Sequence, residues 1–91
     1  MAKGKVVVVA KIYPKDINTD RNMILQLLSL KLNGIAEIKK VEEEPIAFGL
    51  VALKLHMVLP EDTEGGTDVI ENAASSIELI SNVEITHVYR L

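Results

Sequence analysis

Apolar residues recur along this chain in two rhythms, and the places where one rhythm gives way to the other predict its elements. Lys5 to Tyr13, KVVVVAKIY, is β-branched through its centre and bounded by Gly4 and Pro14. A continuous run of this kind fits a central strand, buried on both faces or nearly so. After the turn PKDIN, the residues Ile24, Leu27, Leu28 and Lys31 return at helical spacing. Thr19 is placed to cap this helix, and Asp20 in its first turn suits the macrodipole. The helix is expected to stop at Asn33-Gly34, because glycine takes the left-handed C′ position without steric cost. Ile35 to Val41, IAEIKKV, alternates weakly and reads as an edge strand whose lysines discourage pairing with other chains.

Glu42-Glu43-Glu44-Pro45 then interrupts the pattern. From there Val51, Leu53, Leu55, Met57 and Leu59 occupy every second position while Lys54 and His56 fall opposite, the signature of a half-buried strand. PEDTEGG is a turn cluster, and Thr67 is positioned to cap a second helix with Val69, Ile70, Ala73, Ala74 and Ile77 on one apolar face. Glu84 to Leu91 supplies a last strand with Val83, Ile85, Val88 and Tyr89 as its apolar members. The break in alternation at His87 indicates a bulge or a frayed end. The order β-α-β-β-α-β is that of the ferredoxin-like α+β sandwich, a four-stranded antiparallel sheet with two helices on one face. Right-handed crossovers place the first and third strands at its centre.

Composition narrows the function. Ninety-one residues are expected to form one domain, 1–91. A domain of that size buries roughly 60 to 65% of the surface its unfolded chain exposes. With no cysteine there is no disulfide scaffold, thiolate nucleophile or cysteine-based zinc site. A net charge of −3 argues against general affinity for phosphate backbones, so direct nucleic-acid binding is not expected. The apolar run Val6 to Ala10 is far shorter than a signal peptide's core or a membrane span, which reads as a cytoplasmic protein with no membrane partner. There is no GxxxxGK[ST] phosphate loop.

Among side chains with chemical potential, Phe48 is the only phenylalanine and lies in the turn Pro45-Ile46-Ala47-Phe48-Gly49 between two antiparallel strands. On composition alone, a ring folded back over the sheet end is the commoner outcome. Arg90, one residue from the last, would by itself be a solvated strand-end cation. His56 and His87 stand on different strands without a third ligand at matching spacing and take no assigned role. The acidic runs Glu42 to Glu44 and Glu61, Asp62, Glu64 read as solvated loop charges, and Asp68 as a first-turn helix residue.

Taken together, EEPIAFGLVALKLHMVLPEDTEGGTD, from Glu43 to Asp68, and the ending Tyr89-Arg90-Leu91 resemble the guanine-nucleotide-exchange domain of elongation factor 1-beta, most of all its small archaeal form. In that family PIAFG is the loop after the second strand, VLPED closes the third, and GTD opens the second helix. The resemblance implies a nucleotide exchange factor for the translational GTPase elongation factor 1-alpha, with no cofactor of its own and no covalent chemistry. It implies that Phe48 inserts into the GTPase, with Pro45 and Gly49 shaping the loop that presents it. It also implies that Arg90, a lysine in eukaryotic relatives, is pushed toward the partner's magnesium and phosphate site. Two residues after Gly49, where relatives carry a lysine, this chain has Val51. Lys54, on the outward face, is retained as a basic contact candidate. Two rival readings share the fold. A small-molecule-binding regulatory module would want a glycine-rich turn after the first strand, and PKDIN lacks one. An RNA-recognition domain would want aromatics on the central strands, and the first offers only Tyr13.

Overall fold

The computed structural model describes residues 4–91. Its elements run β1 (Lys5–Pro14), α1 (Arg21–Lys31), β2 (Glu37–Pro45), β3 (Val51–Pro60), α2 (Thr67–Ser75) and β4 (Ile80–Arg90). The four strands form one antiparallel sheet in the order β2-β3-β1-β4, with the first and third strands central as the pattern requires.

Register explains which side chains meet the helices. Val8 pairs with Met57, Ala10 with Leu55 and Ile12 with Leu53, and all six are buried. They share a core with Ile24, Leu28 and Leu32 from α1 and its C-terminus and with Ile70, Ala74 and Ile77 from α2 and the turn after it. Both helices therefore cover the same face. Val7, Val9 and Ala52 point to the other face and are buried too, which is why β1 reads as continuously apolar. Val9 is flanked there by His56 on β3 and His87 on β4.

Several boundaries depart from the sequence expectation. The cap of α1 is Asp20, whose Oδ1 accepts from the backbone N–H groups of Asn22 (3.0 Å) and Met23 (3.3 Å). Thr19 instead turns its hydroxyl back to accept from the Asp16 N–H at 3.1 Å, so Asp20 takes the capping role read for Thr19 and lies before the first turn, not in it. For α2 the cap is Gly66, with a φ of 55° and no side-chain hydrogen bond, and Thr67 is already the first helical residue. The β4 strand begins at Ile80, earlier than its alternation suggested, and its register against β1 shifts between Val9 and Ala10, skipping Thr86. That bulge is the irregularity visible at His87.

The largest correction concerns the acidic run. Glu42, Glu43 and Glu44 lie inside β2, which starts at Glu37 and continues to Pro45. Each carboxylate meets a basic side chain from another element. Glu42 Oε1 is 2.7 Å from His56 Nε2 on β3, Glu43 Oε2 accepts from Arg21 Nε on α1 at 3.0 Å, and Glu44 pairs with Lys11 across β3 on β1. The hydrogen bond with His56, helped by the charge of Lys40, holds the Glu42 carboxyl below its ordinary pKa. The bond with Glu44 raises the Lys11 ammonium above its own. A carboxylate row is tolerated in an edge strand because its alternate members face different partners.

Candidate functional site

Pro45 is the last residue of β2 and pairs with Val51, so the intervening loop is a closed hairpin. Ile46 N–H donates to the Leu50 carbonyl at 2.9 Å and Leu50 N–H to the Ala47 carbonyl at 2.9 Å. The two central residues of that four-residue turn, Phe48 and Gly49, have φ values of 54° and 81°. Positive φ at both central positions is the primed turn class that matches strand twist, and Asn-Gly is its usual occupant. Gly49 accepts this backbone freely. Phe48 is the only residue other than glycine with a positive φ among those described, and a bulky side chain there costs on the order of 1 kcal/mol. The reward is direction: its ring stands 99% exposed at the tip.

A second loop supports this tip. Asp16 forms an Asx-type turn, its Oδ1 accepting from Asn18 N–H at 2.8 Å, which holds the β1–α1 connection in one shape and leaves Ile17 56% exposed. A Cβ built on Gly49 would lie 3.6 Å from Ile17 Cγ2, so the two loops touch. Ile46 adds a third partly exposed apolar side chain, at 44%. Ile17, Ile46 and Phe48 thus all expose apolar side chains at this end of the sheet. Ile17 was not legible as a site residue, since only the sheet order brings its loop beside the hairpin. The single available signal was an isoleucine between polar neighbours in PKDIN.

Arg90 lies at the opposite end. It pairs with Val6 near the start of β1, whereas the hairpin lies just before Leu53, the partner of Ile12. Six strand residues separate those levels, at least about 20 Å, in a molecule with a long axis of 48 Å. The terminal residue is fixed by a backbone hydrogen bond from Leu91 N–H to the Lys5 carbonyl at 3.0 Å. The Arg90 side chain is 78% exposed and meets one carboxylate, Glu61 Oε2, at 2.9 Å from Nη2.

The remaining candidate, Lys54, lies three residues into β3 from the hairpin. It stands mid-strand on the uncovered sheet face, with Glu42 and Lys11 as its ladder partners. Among the described residues no three His, Cys, Asp or Glu side chains converge as metal ligands, and no helix is long and apolar enough to cross a membrane.

Comparison with known proteins places the chain in a family. The family model for the EF-1 guanine nucleotide exchange domain matches residues 7–91. Elongation factor 1-beta of Staphylothermus marinus is 44% identical over 88 residues, covering 97% of this chain and 98% of the relative. Its counterpart in Methanothermobacter thermautotrophicus is 42% identical with the same coverage, and that of Ignicoccus hospitalis is 36% identical over 91 residues, covering 100% and 97%. On a family match that spans nearly all of the chain and on relatives at this level of identity, the chain belongs to the EF-1 guanine nucleotide exchange domain family.

Proposed function

We propose that the protein promotes release of GDP and reloading with GTP on elongation factor 1-alpha, touching the GTPase with both ends of its sheet. The observation that carries the reading is a solvent-exposed aromatic held in a backbone conformation that costs stability, on a chain of this family. Strain retained at an exposed residue calls for a compensating gain elsewhere, and a rigid aromatic with few rotamers gains most by insertion into a partner's pocket. Ile17 and Ile46 widen the same contact, with Pro45 and Gly49 fixing the hairpin that bears it.

The other end supplies charge. GDP leaves such GTPases slowly because Mg²⁺ and backbone amides neutralise its phosphates. A factor that binds the empty GTPase more tightly than the loaded one lowers nucleotide affinity by the same coupling free energy, since linkage is reciprocal. Arg90, carried on the last residue of β4, places a cation where the metal's charge is needed and so biases the partner toward the metal-free, nucleotide-free state. Arginine keeps the charge of the lysine found in eukaryotic relatives while presenting a planar fork, so the electrostatic role is preserved more fully than the contact geometry. No covalent step and no cofactor enter this cycle. Lys54, on the uncovered face a few residues along β3 from the hairpin, is retained only as a contact for a partner surface that wraps onto that face.

The direct test is release of fluorescent GDP from the cognate GTPase, chased with excess GTP, with and without this protein. Acceleration that saturates with protein concentration is expected. An unchanged release rate at concentrations where a complex forms would overturn the reading.

A further inference from the structure

The carboxylate facing Arg90 is placed by the backbone. Gly4 and Lys5 offer successive carbonyls on opposite sides of the start of β1: the Gly4 carbonyl accepts from Glu61 N–H at 3.0 Å, and the Lys5 carbonyl accepts from Leu91 N–H at 3.0 Å. Glu61, just after β3, and Arg90, on β4, are therefore held on either side of β1. To meet, their side chains must cross that strand. They cross at Gly4, the position in the described part of β1 and its approach that carries no side chain. A Cβ built there would lie 2.8 Å from Glu61 Oε2 and 2.9 Å from its Cδ, closer than real atoms approach. A side chain at Gly4 would have to push the flexible end of Glu61 aside, so the bare position leaves the room in which that carboxylate sits.

We infer that Glu61 is the resting counterion of Arg90, seated over Gly4, and that exchange requires Arg90 to leave it. The inference rests on the assignment of Arg90 to the partner's metal and phosphate site. Two anionic partners, Glu61 and the nucleotide phosphates, then compete for one guanidinium. A carboxylate carried into that site beside the cation would cancel the charge that perturbs Mg²⁺. Glu61 is thus a positioning residue that keeps Arg90 directed while free and sets part of the barrier to its use. The carboxylate is the less exposed partner, at 33% against 78%, so Arg90 is the one able to swing away.

Exposed ion pairs of this kind contribute little, and their loss changes rates by a few-fold. Glu61→Gln is expected to accelerate GDP release about two- to fivefold at low salt, an advantage that shrinks as ionic strength rises and screens the pair in the native protein. Gly4→Ala leaves every charge in place but pushes the carboxylate aside, and it should accelerate release in the same direction. In an Arg90→Ala background neither change should have any effect. The free protein provides a readout independent of the GTPase: the guanidinium resonances of Arg90 should shift in both Glu61→Gln and Gly4→Ala. If Arg90→Ala slows release but Glu61→Gln leaves it unchanged or slower, the counterion role is wrong while the function of Arg90 stands. If Arg90→Ala exchanges at the native rate, the role given to Arg90 falls, and this inference with it, while exchange by the native protein stands. Persistence of the Glu61→Gln effect without Arg90 would also overturn the inference, by showing that Glu61 acts through another route.

Discussion

The two ends of the sheet solve opposite problems with opposite materials. At the hairpin end an apolar side chain is held out at the expense of backbone strain, with Ile17 and Ile46 exposed at the same end. At the Arg90 end the backbone is ordinary strand, and the functional side chain is a cation moderated by one carboxylate. The contrast separates docking from exchange. Burial of apolar surface is nearly indifferent to salt and to Mg²⁺, whereas a charge competing with a metal responds to both. The hairpin should therefore govern affinity and Arg90 the rate.

The largest expected effect is at the hairpin. Phe48→Ala should weaken the complex with the GTPase by about 2 kcal/mol or more, in the hot-spot range. Its melting temperature should stay close to native, because a ring that is 99% exposed contributes little to the core. A buried ring would instead cost about 3 to 5 kcal/mol of stability on the same change. Titrations beside thermal melts distinguish the two, and a large drop in melting temperature with intact affinity would break the comparison at once.

Next comes Arg90→Ala, which should slow GDP release by on the order of tenfold, a barrier change of roughly 1.4 kcal/mol, while weakening the complex only modestly. Arg90→Lys should keep much of the activity. Raising Mg²⁺ should oppose the native protein more than the alanine variant, since side chain and metal bias one equilibrium in opposite directions. Release rates for all three proteins at several Mg²⁺ concentrations measure this. Equal sensitivity would return Arg90 to the status of a solvated strand end.

A smaller effect sharpens the argument from strain. Phe48→Asn places at the turn the residue that tolerates a left-handed φ, so it should stabilise the free protein by about 0.5 to 1 kcal/mol while losing the anchor. Denaturant midpoints would register this gain, and a loss of stability would show that the ring supports the fold.

The smallest effect lies between the ends, in the charged row of β2. Bonding to His56 and the charge of Lys40 depress the Glu42 carboxyl, so the folded state binds that proton less readily than the unfolded chain does. Its contribution is present above the ordinary carboxyl value of 4.5 and is lost as pH falls through the lower folded value. Glu42→Gln should flatten this part of the acid limb in a pH series of melts and leave exchange at neutral pH unaltered. A variant melting curve parallel to the native one through that range would remove Glu42 from the account.

Element order, the central placement of β1 and β3, the core face of β3 and the bulge near His87 were all legible in the sequence, because each rests on periodicity or composition within a few residues. Phe48 and Arg90 were legible as candidates through the loop and terminal motifs. Caps were misread by one residue: at α1 Asp20 and not Thr19 wins the competition of neighbouring polar residues for the same N–H groups, while at α2 the non-helical backbone falls on Gly66 with no side-chain bond at all. The Glu42 to Glu44 row was misread as a loop because its partners, His56, Arg21 and Lys11, come from three other elements. Likewise, nothing local connects Ile17 to the hairpin or Glu61 to Arg90 through Gly4. Local sequence determines what each segment can become, through the 2.0- and 3.6-residue periods and the turn residues. Which distant charges neutralise one another, which loops stand side by side and where a missing side chain leaves a passage are decided only when strand order and register set the distances.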